Sequence, residues 1–72
     1  MSTEKYVQRL VEANRLIAER EHRIAKQQER IVQQAILGYS TELSRELLRQ
    51  MEEELRLTIA RRALIIKEIG NS

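Results

Sequence analysis

The sequence contains no cysteine, proline, aspartate, tryptophan or phenylalanine, and only two of its 72 residues are glycine. Without cysteine, the chain can form neither a disulfide nor a thiolate metal site. The two tyrosines are its only aromatic residues, whereas ligand pockets and strand interiors are usually rich in aromatic side chains. No run approaches the roughly 20 apolar residues of a membrane-spanning helix, and the N-terminus lacks a secretory apolar segment. We therefore expect a soluble, cytoplasmic protein.

The short length of the chain limits the core that it can build. Single cores of this size are marginal, because a small domain buries only a modest fraction of its surface. Such chains usually need disulfides, a metal ion or a partner subunit. With no cysteine and a single histidine, His22, the chain has neither of the first two. We expect a partner subunit to supply the missing stability.

Residues that carry catalytic chemistry are few. His22 is the only imidazole, and the lack of cysteine and aspartate removes common nucleophile and base arrangements. The three consecutive glutamates at 52–54 point in different directions around a helix and do not form a catalytic pair. The zinc motif HExxH and glycine-rich phosphate loops are absent. We expect no enzymatic activity and no catalytic site, cofactor, metal ion or small-molecule substrate.

The residues that are abundant (Ala, Leu, Ile, Glu, Arg and Gln) are typical of long helices with a periodic apolar seam. In the first half of the chain, apolar pairs recur every seven residues: Leu10-Val11, Ile17-Ala18, Ile24-Ala25 and Ile31-Val32. This spacing predicts a helix over about residues 3–37, capped by Ser2 or Thr3, with a left-handed coiled-coil seam. Asn14, Glu21 and Gln28 are also seven apart, and we expect them at the second seam position.

The segment "LGYSTEL" combines a helix stop with a helix start. Gly38 suits the left-handed conformation that ends many helices, and Ser40 is a favourable N-cap with Thr41 in the next turn. Gly70 is expected to end a second helix over about residues 41–69. A loop of two or three residues joins antiparallel neighbours, so the predicted fold is all-α: a single-domain helical hairpin over residues 1–72. One continuous helix through Gly38 is the alternative.

The predicted register places residues at similar distances from the turn opposite each other, so that Ile31 meets Leu48 and Ile24 meets Leu55. Ile17 then falls opposite Arg62, and we expect Arg62 to pair with Glu21 or, alternatively, to extend into solvent. The predicted seam and interface residues are all apolar: Leu10, Ile17, Ile24, Ile31, Leu47, Leu48, Met51, Leu55, Ile59, Ile65, Ile66 and Ile69. Helical spacing also predicts exposed ion pairs of Glu19 with Arg23 and Glu52 with Arg56.

The hairpin has more apolar residues than one seam can cover. Val11, Val32, Leu47, Ile59 and Leu64 are among those that do not all fit the stripe between two helices. A patch of this kind is larger than soluble monomers usually expose. We therefore expect self-association, most simply as a two-fold dimer that forms a four-helix bundle, although a tetramer satisfies the same argument.

From residue 23 to residue 70 the sequence resembles a group of short, uncharacterised helical-hairpin proteins of alphaproteobacteria. That group has a helix with the pattern H-I-x-x-Q, a Gly-x-[Asp/Ser]-Thr turn, a Leu-Leu pair and a final arginine-rich helix. The matching residues here are His22, just before this stretch, and within it Ile24, Gln27, Gly38, Ser40, Thr41, Leu47 and Leu48. The resemblance implies a bacterial helical hairpin and no particular activity.

The features above favour a protein-protein interaction module, a homodimeric hairpin that acts as a small regulator or adaptor, with another helical protein as a further partner. The first alternative is a nucleic-acid-binding bundle with a basic face: Arg20, Arg23, Lys26, Arg30 and Arg61. A net charge of +2 and the lack of stacking aromatics argue against it. The second alternative is a small chaperone that presents an apolar face to a partner helix.

Overall fold

The computed structural model describes residues 3–71, which form two helices that pack against each other: α1 (Glu4–Ile36) and α2 (Glu42–Asn71). Gln27 contacts Ser44 near the connection, and Asn14 contacts Arg62 farther from it, so the helices run antiparallel. The Cα atoms fill a rod of 59 × 14 × 12 Å. The all-α hairpin predicted from the sequence is confirmed, and the single continuous helix is ruled out.

The end of α1 is a Schellman motif, in which a left-handed residue closes the last turn of a helix. Gly38 has φ of +79°, and its N–H donates to the Ala35 carbonyl at 3.1 Å. The Tyr39 N–H reaches back to the Gln34 carbonyl at 2.8 Å. These two bonds satisfy carbonyls that the end of a helix would leave without partners. Gly38 therefore takes the conformation that its position in the sequence predicts.

The start of α2 differs by one residue from the prediction. The Arg45 N–H donates to the Thr41 carbonyl at 2.9 Å, which makes Thr41 the N-cap in place of Ser40. The Ser40 hydroxyl accepts only a long hydrogen bond, 3.5 Å, from the Glu42 N–H. Serine and threonine are both good caps, so two adjacent candidates leave the sequence unable to choose between them.

The other helix ends also differ slightly from the predicted bounds. Thr3 is the N-cap of α1, but its side chain makes no capping hydrogen bond; Ser2 lies outside the described residues. α2 continues through Gly70 to Asn71, so the prediction that Gly70 ends the helix is wrong. A single glycine costs a helix only about 1 kcal/mol, which regular hydrogen bonding along α2 can outweigh.

The seam between the helices follows strict three-four spacing on both of them, as in a coiled coil. On α1 its partly or fully buried positions are Tyr6, Leu10, Ala13, Ile17, Arg20, Ile24, Gln27, Ile31 and Gln34. On the α2 side they are the N-cap Thr41 and, within the helix, Ser44, Leu48, Met51, Leu55, Thr58, Arg62, Ile65 and Ile69. The second seam position of α1 is thus Ala13, Arg20 and Gln27. It is not Asn14, Glu21 and Gln28, which are exposed.

The core of this hairpin is small. Ala13, Ile17 and Ile24 are the apolar residues of α1 that are buried, and Gln27 is the buried polar one. α2 buries none of its residues between 42 and 71. The stripe between the helices is thus well ordered but covers little apolar surface.

Candidate interaction surface

Two polar contacts tie the helices together across the seam. The Gln27 amide Nε2 donates to the Ser44 carbonyl at 2.9 Å, and Gln27 is only 6% exposed. The Arg62 guanidinium donates to the Asn14 amide oxygen at 3.2 Å. The predicted ion pair of Arg62 with Glu21 is therefore not formed, because Asn14 lies closer to Arg62 and Glu21 points into solvent. Because Arg62 lies opposite Asn14, the register is shifted by about one helical turn from the predicted one, in which Ile17 faces Arg62 and Ile24 faces Leu55.

The seam divides the remaining surface of the hairpin into two flanks. One flank carries an open cleft of about 390 Å³ whose lining includes Arg9 and Leu16 of α1 and Arg61 of α2. Farther along the same flank, Arg23 of α1 and Glu54 of α2 line a smaller depression. We call this side the cleft flank. Apolar side chains form most of the exposed lining of the larger cleft, and Leu57 lies beside it, so the cleft flank combines apolar and charged residues from both helices.

The opposite side is apolar near the open end of the hairpin. Helical geometry places on this side the residues that come one position after a seam residue, both on α1 and on α2. We call this patch the apolar flank, and all of its six residues are exposed: Val7, Val11, Ala18, Ile59, Ala63 and Ile66. Val11 is 64% exposed and Ile66 is 51% exposed. Asn14 lies between Val11 and Ala18, also one position after the seam, and is an exposed polar residue within this patch.

The apolar flank continues differently on the two helices towards the turn. On α1 the exposed stripe goes on with Ala25, Val32 and Ala35, interrupted by Glu21 and Gln28. On α2 the matching positions are charged, and they are Arg45, Arg49, Glu52 and Arg56. The flank is therefore apolar at the open end on both helices, and it is apolar towards the turn on α1 alone.

Nine of the twelve predicted seam and interface residues lie in the seam between the helices, all of them buried or half-buried. The other three are exposed: Leu47 (45%), Ile59 (39%) and Ile66 (51%). The structure therefore packs nine of the predicted residues between the helices and leaves the other three exposed to solvent, as the width of the apolar face of α2 predicts. Val7 and Ala63 were not singled out from the sequence. Val7 lies four residues before Val11 and Ala63 lies four residues after Ile59, and this helical spacing could have identified them.

The five residues of the predicted basic face lie on or beside the cleft flank, four of them exposed and one half-buried. Arg23, Lys26 and Arg30 are exposed on α1, and Arg61 lies on the same cleft flank of α2. Arg20 instead occupies a seam position, where it is half-buried and its Nε has no hydrogen-bond partner. Glu19 binds Arg23 at 3.4 Å, as predicted. Arg20 nevertheless lines one depression of the cleft flank with Arg23 and another with Arg61.

Several exposed arginines are held by glutamates on their own helix. Arg15 binds Glu12 and Glu19, Arg49 binds Glu46, and Arg56 binds Glu53 and not Glu52 as predicted. The hydrogen bond from Arg56 lowers the pKa of Glu53 below its usual range, and that of Arg15 does the same for the pKa of Glu12. Exposed pairs such as these contribute little to stability.

The candidate catalytic groups remain separate. His22 and the glutamates at 52–54 are exposed on different helices. Between residues 3 and 71, no three histidine or acidic side chains cluster as metal ligands would. In the same part of the chain, neither helix combines the length and apolar content needed to cross a bilayer.

Comparison with known proteins finds no match, since no protein-family model, curated protein or solved structure is similar to the chain. The resemblance to the alphaproteobacterial hairpins therefore stays a prediction.

Proposed function

We propose that the chain is a non-enzymatic protein-protein interaction module, a cytoplasmic regulator or adaptor that works as a homodimer of helical hairpins in a four-helix bundle. The imbalance of burial carries this proposal. The hairpin buries three apolar residues, whereas twelve large hydrophobic residues in the described part of the chain are exposed. A 30-residue helix with no buried residue is typical of one whose packing partners are incomplete.

A second copy of the chain is the simplest partner for the exposed surface. Covering one Val, Leu or Ile side chain contributes about 1.5–3 kcal/mol, and the apolar flank offers four such side chains in each copy. Two hairpins that cover this flank for each other give every helix a second packing face. The resulting square of four helices is a common solution for short amphipathic helices.

Sedimentation velocity across a concentration series tests the proposal, and we expect a dimer at micromolar concentration. The variant Val11→Glu places a charge in the apolar flank, and glutamate is a better helix former than valine. It should keep the helical circular dichroism spectrum while it weakens the dimer by about tenfold or more. Gln33→Glu adds the same charge to an exposed position of α1 on the cleft flank, and it should leave the dimer unchanged.

A folded monomer at high concentration would contradict the homodimer and would favour the chaperone alternative, in which another protein covers the apolar face. A dimer that resists Val11→Glu but dissociates with Gln33→Glu would place the contact on the cleft flank.

Nucleic-acid binding is the second candidate, because Arg23, Lys26 and Arg30 are exposed on one side of α1. Glu19 already pairs with Arg23, and Glu54 lies in the same depression, which weakens the field of this face. Fluorescence anisotropy with labelled RNA and DNA duplexes at about 50 mM salt tests it, since phosphate contacts are strongest at low salt. The interaction-module proposal expects no binding there.

A further inference from the structure

We propose that the two hairpins of the dimer lie side by side with their turns at the same end, around a two-fold axis parallel to the helices. In this arrangement α1 of each copy packs against α2 of its partner through the apolar flank. The inference rests on the proposed homodimer and adds its orientation. Three features of the flank support it: the levels of its residues, the position of its apolar half and the signs of its charges.

Two residues are level when they lie at the same height along the long axis of the hairpin, and the contact between Asn14 and Arg62 sets which residues of α1 and α2 are level. The helices are antiparallel, so seven residues forward on α1 and seven residues back on α2 reach the same level. Glu21 therefore lies level with Leu55 and its neighbour Arg56. By the same count, Val11 lies level with Ile65 and Ile66. An axis parallel to the helices keeps these levels when α1 of one copy meets α2 of the other.

The apolar residues of the flank then meet each other. Val7 and Val11 pack on the partner's Ile66, and Ala18 packs on the partner's Ile59. Small side chains at Ala18 and Ala63 allow the helices to approach closely, because neither extends beyond a methyl group. All six residues of the apolar flank are covered in each copy, and the amide of Asn14, which lies between Val11 and Ala18, is the polar group within this contact.

The charges on the flank also match in this orientation. Glu21 of α1 comes level with the partner's Arg56, and the symmetry repeats the pair on the other side of the bundle. Glutamates and arginines then alternate around the four helices, so that opposite charges are nearest neighbours. Charges arranged in this way suppress the wrong orientation more than they add affinity.

The reversed orientation, with the turns at opposite ends, fits less well. It pairs α1 with the partner's α1, so that Val11 meets the partner's Val32 and Glu21 meets the partner's Glu21. On α2 it places Ile59 and Ile66 against charged residues of the partner, Glu52 and Arg45. The parallel placement sets only Ala25 and Val32 of α1 against the partner's Glu52 and Arg45, whereas the reversed placement sets two isoleucines against charged groups, which loses more of the gain from covering them. The reversed placement also makes the like charges of Glu21 nearest neighbours.

Single-cysteine cross-linking distinguishes these orientations, because the natural chain has no cysteine and no background. Equimolar mixtures of two single variants are oxidised mildly, and covalent dimers are counted on a non-reducing gel. We expect Val11→Cys and Ile66→Cys to cross-link to each other at least tenfold faster than Val11→Cys cross-links to Val32→Cys. Gln33→Cys on the cleft flank serves as the matched control and should not react with either.

Each of the other experimental outcomes would contradict a different part of the proposal. Faster cross-linking of Val11→Cys to Val32→Cys would overturn the parallel placement and establish the reversed one. A dimer in sedimentation with no cross-link in any mixture would overturn the use of the apolar flank. A monomer in sedimentation would instead remove the proposed homodimer itself, so failure of the orientation and failure of the function are separable. Circular dichroism of each variant shows that it remains helical.

Discussion

Gly38 is the residue on which the reversal of the chain depends. It alone among residues 3–71 has a positive φ, +79°, and no atom lies within 4 Å of the position that a Cβ would take. A side chain would therefore be disfavoured by the backbone conformation and not by crowding. The sequence indicates this position directly, because only one glycine lies between the two helical segments.

Substitution of the two glycines should have opposite effects on stability. Gly38→Ala should lower the free energy of unfolding by about 1–2 kcal/mol, the cost of a left-handed L-residue. Gly38→Asn should cost less, since asparagine tolerates this conformation. Gly70→Ala should raise the free energy of unfolding by about 0.5 kcal/mol, because Gly70 is helical and has open space around it.

Urea unfolding at one fixed chain concentration measures all three glycine variants. Equal losses for Gly38→Ala and Gly38→Asn would show that some other property of the turn, and not the left-handed conformation, limits stability.

Gln27 is the most buried polar side chain of the seam. Two substitutions separate the stability that comes from its hydrogen bond from the stability that comes from the volume it fills. Gln27→Ala should lower the free energy of unfolding by about 1–2 kcal/mol, through the lost hydrogen bond to Ser44 and the cavity left behind. Gln27→Leu fills the volume and should stay within about 0.5 kcal/mol of the natural chain, because a seam position accepts leucine readily. Urea midpoints of the two variants give the comparison. A leucine variant as unstable as the alanine variant would mean that the hydrogen bond dominates.

At the scale of the helices, the sequence predicts the number, length and direction of the elements well. Two long segments free of proline, separated by one glycine and two hydroxyl residues, leave little choice of fold. The predicted bounds of α1 differ from the observed ones by a single residue at each end. The helix-forming and turn-forming preferences of individual residues determine the number, length and direction of the helices, and these preferences can be read from the sequence.

The assignment of the second seam position on α1 could not be made in the same way. Each apolar pair, such as Leu10-Val11, borders two stripes, one through Ala13 and Gln27 and the other through Asn14 and Gln28. Both stripes contain small and amide side chains, so hydrophobicity does not distinguish them. Packing against α2 decides, because it buries Ala13 and Gln27 and leaves Asn14 exposed even though Asn14 binds Arg62. The exposed stripe then remains for another partner.

At the scale of the whole molecule, the hairpin is a thin rod with too little core for its length. A rod of 59 × 14 × 12 Å leaves each helix with one covered face, and the sequence supplies apolar residues for a second. The surplus was visible from the sequence as the width of the α2 face. The grouping of Val7, Val11, Ile59 and Ile66 at the open end required the structure, since it depends on which residues of α1 and α2 share a flank.

The thermal stability of the protein should therefore depend on its concentration. Unfolding of a dimer releases two chains, so mass action raises the unfolding temperature as concentration rises. With an unfolding enthalpy of about 0.7 kcal/mol per residue, a tenfold increase in concentration should raise Tm by about 5 °C. Circular dichroism melts over a hundredfold range of concentration measure this shift. Val11→Glu should flatten the dependence, whereas Gln33→Glu should preserve it. A Tm that is independent of concentration for the natural chain would mean that the exposed apolar flank does not stabilise the fold through a second copy.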